Sequence, residues 1–256
     1  MAVEVLGLLL ASAGASYALR AWQRRREPRR LEEVLAEDAA VVVSVATHEA
    51  GSRNHPEIWP IHLLYGLMQD EAFTEAIGKL GGDASTIENR VLAELDRRPA
   101  REHDEGARVE AMRVLAMAHH GGDRKMTCKD LWAYLARTTT GNLVERAETP
   151  DVTRHALVFT LAHGMREPST EMPGRTDVHV VFRNDDYTTR DFVVDVLRDV
   201  FELGEGDAET RMMQVHNEGR GVVGRFKLDV ARKKVDEVRR RARERVFPLW
   251  VGLEDC

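Results

Sequence analysis

Acceptor-rich side chains crowd into one short stretch of this chain, Asn184-Asp185-Asp186-Tyr187-Thr188. Two carboxylates and an amide in a row supply negative charge and hydrogen-bond acceptors. Their short side chains also bond back to nearby backbone, so the stretch is first of all a turn and a helix cap. Other chemistry-bearing combinations end sooner. His48-Glu49 opens the zinc-protease pattern H-E-x-x-H, but the second histidine would fall on Ser52. His119-His120 precedes a glycine pair with no third ligand in view and reads as surface. Cys128 and Cys256 have no metal-type spacing and read as free thiols of a reducing compartment. No G-x-x-x-x-G-K-[ST] occurs, which excludes a Walker ATPase module. With no catalytic constellation in sight, the chain reads as non-enzymatic, with no metal or cofactor expected.

Elements on either side must position the acidic turn. Val178, Val180 and Phe182 alternate with His179, Val181 and Arg183, a period of two rich in β-branched residues that predicts a half-buried strand. Thr188 with Asp191 resembles a capping box, so a helix should begin near Thr189. Phe192, Val193, Val196, Leu197, Val200 and Phe201 give it one wide apolar stripe. Gly204-Glu205-Gly206-Asp207 then turns the chain into a second helix, with Met212, Met213, Val215 and His216, that ends at Gly219. A strand over 221–226, a third helix carrying Val230, Ala231, Val235, Val238 and Ala242, and a final strand over 249–253 complete the order β-α-α-β-α-β. That order predicts a small antiparallel sheet with helices packed on it, an α+β module over 177–256.

The preceding residues divide into three parts. Residues 1–30 hold an uncharged run from Val5 to Leu19, followed by Arg20, Arg24, Arg25, Arg26, Arg29 and Arg30. Charge after the apolar run opposes a cleaved signal and favours a single-pass anchor that tethers the rest of the chain to the cytoplasmic face of the inner membrane; a soluble or peripheral amphipathic start is the alternative for a run shorter than the ~20 residues that span a bilayer comfortably. Residues 31–164 read as helical throughout, the first half opening on a helix with Leu35, Ala39, Val42, Val43 and Ala46 and the second on one with Val109, Met112, Leu115 and Met117, with Leu143 and Val144 further on. They also read as a tandem repeat, since Leu63 matches Leu131, Leu67 matches Leu135 and Asp83 matches Asp151 at one constant offset. Residues 165–176, with Pro168, Pro173 and Gly174, read as a short linker that holds the two domains at high effective concentration.

Three groups of residues in order, Asn184-Asp185-Asp186-Tyr187-Thr188, then Asp191-Phe192-Val193, then Met212-Met213-Gln214-Val215-His216 with Glu218-Gly219-Arg220-Gly221, resemble the ClpS adaptor family, and Pro248-Leu249 fits the same pattern. The repeat over 31–164, with its leucine-rich second helix and its last segment from Val152 to Gly164, resembles the amino-terminal domain of ClpA and ClpC unfoldases. The first resemblance implies an adaptor that binds proteins through a bulky apolar amino-terminal residue, an N-degron, and hands them to a Clp unfoldase and protease. A free α-amino group is a cation with three donors, so such a pocket needs acceptors beside an apolar hole. By resemblance Asn184, Asp185 and His216 meet the ammonium group, Asp186 and Thr188 shape the rim, and Val193, Met212, Val215 and Leu249 line the hole. Arg190 stands where the family usually has Met or another apolar gate residue, and Thr189 replaces a common Pro. The arginine either folds its stem over the hole or repels the cationic ligand.

The resemblance also implies a docking surface for the unfoldase's amino-terminal domain at Asp229 and Lys234. Docking of that surface on residues 31–164 of the same chain would instead give a regulatory or sequestering protein, the alternative reading. Nucleic acid is not expected as a partner. Charged residues make up 31% of the chain with a formal net charge of −6, and Asp229, Asp236, Glu237 and Glu244 interleave with the arginines and lysines of 232–245, Arg239 among them, which read as a solvated, ion-paired face.

Overall fold

The computed structural model describes residues 31–98, 100, 124–138, 149 and 152–256. In the amino-terminal half these form α1 (Leu31–Val34), α2 (Glu37–Ser52), α3 (Pro60–Leu67), α4 (Glu71–Lys79), α5 (Ala84–Leu95), α6 (Cys128–Thr138) and α7 (Arg154–His163). Local chemistry sets the starts. Pro60 occupies the first turn of α3, where its missing N–H costs nothing. Asp70 accepts from Phe73 N at 2.9 Å, Asp83 from Ser85 N at 3.1 Å and Thr153 from Ala156 N at 3.2 Å, and each caps the helix that follows. Gly164, at φ 71°, ends α7 in the left-handed conformation that glycine adopts without a Cβ clash.

Leu63, Leu67, Leu131 and Leu135 are all buried in one core, as the repeat predicts. Two expectations shift. Leu35 lies ahead of the helix rather than in it, and bridges in parallel to Met126, with Ala36 N donating to Met126 O at 2.8 Å. The helix after Asp151 begins at Arg154 with Thr153 as its cap, so the offset that aligns the leucines slips at this terminus. The helix expected over 109–117, Leu143-Val144 and the membrane anchor within 1–30 lie outside the described residues. Among the described residues, no helix is long and apolar enough to cross a membrane.

The carboxyl-terminal half runs β1 (Asp177–Arg183), α8 (Arg190–Asp199), α9 (Glu205–Glu218), β2 (Arg220–Lys227), α10 (Leu228–Glu244) and β3 (Trp250–Asp255), the order read from the sequence. The sheet is antiparallel with β1 central, in the order β2-β1-β3. Val178, Val180 and Phe182 face a core shared with Phe192, Val196, Leu197, Val235 and Val238. The strand is not half-buried as its alternation predicts. Val181 on the opposite face is 0% exposed, packed with Trp250 of β3 against Phe159 of α7. Alternation reports only the partner that its own module supplies, and here the helical half supplies another.

Residues 165–176 form neither helix nor strand, yet they are strapped to both sides. Arg166 Nε donates to Lys79 O at 2.5 Å, Arg239 Nη2 to Pro168 O at 2.9 Å and Arg232 Nε to Thr170 O at 3.0 Å. Arg239 therefore departs from the solvated face expected of the basic run: it is 7% exposed and also donates to Val251 O at 2.8 Å. Burial lowers its pKa, and two carbonyls take its donors in place of water.

Candidate functional site

A cavity of about 550 Å³ opens where the β1–α8 turn meets α9 and the residue before β3. Its acceptor side is built on the turn. The Asp185 carboxylate accepts from Tyr187 N at 2.8 Å and Thr188 N at 2.7 Å through Oδ1, and from the Thr188 hydroxyl at 2.8 Å through Oδ2. These bonds close the turn and leave Oδ2 with a second lone pair. The cap of α8 is Thr189, whose side chain accepts from Phe192 N, so Thr188 is released from the expected capping box to bond Asp185. Asn184 N donates to Gly219 O at 2.9 Å, which ties the turn to the end of α9.

Helix α9 supplies the opposite wall. Met212, Val215 and His216 recur on one face, and Gly219 at φ 78° stops the helix so that β2 can return beneath it. At Gly221 a Cβ would come within 2.8 Å of Val215 Cγ2, a close approach that glycine alone permits without displacement. Val193 from α8 and Leu249 ahead of β3 complete the apolar floor.

All ten residues expected at the pocket line this one cavity: Asn184, Asp185, Asp186, Thr188, Arg190, Val193, Met212, Val215, His216 and Leu249. Arg183, Tyr187, Thr189 and Asp191 join them. Arg190 crosses the mouth, with Nη2 at 2.8 Å from His216 Nε2. A guanidinium only donates, so Nε2 accepts and the imidazole proton sits on Nδ1, 3.4 Å from Asn184 Oδ1. The Arg190 head is thus held at the mouth by the lone pair of His216.

The sequence does not point to the residues behind the turn. Arg137 Nη1 of α6 donates to Tyr187 O at 3.1 Å, and Arg124 Nη1 lies 3.9 Å from Asp186 Oδ2. Tyr187 packs on the helical core, and its hydroxyl bonds to the carboxylate of Asp130. Burial raises the Tyr187 pKa, reinforced by that carboxylate. Burial opposes charge on Asp130, but the Thr127 N–H and hydroxyl, each at 2.8 Å, together with Arg124, outweigh it and hold the carboxyl below its usual range. Burial likewise lowers the Arg137 pKa, opposed by the charge of Asp185.

The expected docking residues lie elsewhere. Asp229 is exposed in the first turn of α10. Lys234 is half-buried, with Nζ hydrogen-bonded to Val200 O and 3.5 Å from Glu202 Oε1, both within its own module. The helical half meets the α+β module on another side, so these contacts do not support the alternative in which this surface docks in cis.

Comparison with known proteins matches residues 175–252 to the family of ATP-dependent Clp protease adaptor protein ClpS, and residues 35–120 to the Clp repeat (R) N-terminal domain. An ATP-dependent Clp protease adapter protein ClpS of Wolinella succinogenes is 49% identical over 77 residues, 30% of this chain and 76% of that protein. That of Neisseria gonorrhoeae is 38% identical over 96 residues, 38% of this chain and 88% of that protein. Among solved structures, Agrobacterium tumefaciens ClpS2 bound to L-phenylalaninamide matches at 37% identity over 31% of this chain and 95% of that chain, with a TM-score of 0.30. The turn, the helix wall and the return strand that build the cavity all fall within the matched span, and the chain belongs to the ClpS family of Clp protease adaptors.

Proposed function

We propose that this chain binds proteins through a bulky apolar amino-terminal residue and delivers them to a ClpA- or ClpC-type unfoldase. One observation carries the reading: acceptors and apolar side chains from four separate segments converge on a single cavity of a size suited to a small ligand. An α-ammonium group has three donors, and Asn184 Oδ1, the open lone pair of Asp185 Oδ2 and His216 Nε2 are acceptors of the right kind. The first side chain enters the floor of Val193, Met212, Val215 and Leu249. To reach His216 the ammonium must displace Arg190, which makes this a gated site. Residues 165–176 divide the adaptor module from the helical module, and Asp229 at the start of α10, with Lys234, offers the docking surface for the unfoldase.

The test is a panel of peptides identical except for the first residue, titrated against the full chain by fluorescence anisotropy. Phe, Leu, Tyr and Trp should bind, while Ser and Glu should not. In a degradation assay with a Clp unfoldase and protease, the chain should accelerate loss of a Phe-initiated reporter, and Asp229→Arg should abolish the acceleration while leaving peptide affinity unchanged. Equal affinity for every first residue would refute the reading.

A further inference from the structure

Two segments of the helical half reach the pocket from behind, one at the acceptor turn and one at the approach to the apolar floor. The first arm ends on Tyr187, in the middle of the acceptor turn. Its amide is bonded to Asp185, its carbonyl accepts from Arg137 Nη1 at 3.1 Å, and its ring and hydroxyl are seated on the helical core and Asp130. Asp130 is 0% exposed and held by Thr127 and Arg124, so the hydroxyl meets a fixed acceptor. The second arm is a stripe of α7. His155, Phe159 and His163 recur every fourth residue and so share one face. His155 Nε2 lies 2.9 Å from Phe247 O and His163 Nε2 lies 2.7 Å from Pro248 O. Carbonyls only accept, so both imidazoles donate from Nε2. The next residue is Leu249, on the apolar floor, and Phe159 fills the space between the two histidines against Val181 and Trp250.

We propose that the helical half is a built-in brace of the pocket, in which Tyr187, His155 and His163 are positioning residues that order the turn 184–188 and the approach to Leu249 before ligand arrives. This inference rests on the amino-terminus reading of the pocket for its ligand, but not for its mechanics. A turn ordered in advance spares the ligand the cost of ordering it, so the helical half raises affinity without itself lining the cavity. The helical half thereby becomes part of the binding site instead of a tethered neighbour.

The test uses the full chain with Tyr187→Phe, which removes only the hydroxyl, and His163→Leu beside His163→Gln, which keeps a donor. Two quantities are read: the affinity for a Phe-initiated peptide, and hydrogen exchange of the Tyr187 and Thr188 amides without peptide. Tyr187→Phe and His163→Leu should each weaken binding about five- to tenfold, the loss of one well-placed hydrogen bond. Amide exchange in the turn should speed up in Tyr187→Phe, and His163→Gln should restore affinity. Turn exchange and affinity within about twofold of the parent in both variants would overturn the brace. If the parent binds no peptide, the ligand reading fails on its own, and faster turn exchange in Tyr187→Phe would still uphold the brace.

Discussion

At the pocket mouth the Arg190 guanidinium donates to His216 Nε2 at 2.8 Å, a cation placed where the proposed ligand brings another. Replacing it by Met removes a repulsion of about 1 kcal/mol at the dielectric of bulk water, which screens this exposed mouth, and frees the imidazole lone pair. Arg190→Met should therefore tighten binding of a Phe-initiated peptide about fivefold, measured by anisotropy, and reduce its salt dependence. Elsewhere, Trp59 N donates to His62 Nδ1 at 2.9 Å, which leaves His62 Nε2–H to donate to His55 Nδ1 at 2.8 Å. Burial, then the neighbouring His55, pulls the His62 pKa down to about 4. The folded value lies below the unfolded value of about 6.5, so the unfolded chain takes up the proton first as the medium is acidified. Stability from this pair is complete above pH ~6.5 and lost as pH falls through about 4, at a total cost on the order of 3 kcal/mol, readable as a falling urea midpoint. His62→Asn should flatten that dependence. The ten pocket residues were legible because the motif keeps them within two short stretches and one terminal pair. Tyr187 stood in the same motif but had no visible role, since its partner Asp130 is remote in sequence.

The regular elements of the carboxyl-terminal module could be read from periodicity and turn chemistry almost to the residue. The strands read over 221–226 and 249–253 differ by one or two residues at their ends, and the start of α8 moved because two caps competed: Thr188 and Thr189 both suit an N-cap, and Asp185 takes the first. Arg239 was misread because a long basic helix usually pairs its charges in solvent, as Arg240 and Arg241 do with Glu237. The packing of α7 on the outer face of β1 could not be read, because nothing local distinguishes an apolar residue that faces its own core from one that faces a second module. Phe159, 1% exposed, is the test of that packing. Phe159→Ala should cost about 3–5 kcal/mol of unfolding free energy, measured by urea denaturation, the usual range for emptying a buried aromatic site. At Gly221 a different outcome is expected. A Cβ 2.8 Å from Val215 Cγ2 must displace that side chain, which lines the pocket, so Gly221→Ala should weaken peptide binding more than it lowers the melting midpoint.

For the whole molecule, the straps along 165–176 and the contacts of α6 and α7 place the helical half against the back of the pocket and leave Asp229 exposed. That arrangement suits an adaptor whose ligand site and docking surface work at once. The central claim is recognition of a free amino terminus. Its most direct test is calorimetric titration of the full chain with a Phe-initiated peptide and with the same peptide acetylated at its first nitrogen. Acetylation removes the charge and two of the three donors, each bond to a charged group contributing about 1.5–3 kcal/mol, so affinity should fall on the order of 100-fold or more. Equal affinity for the two peptides would contradict the account, because the acceptor turn at Asn184 and Asp185 would then have no part in binding.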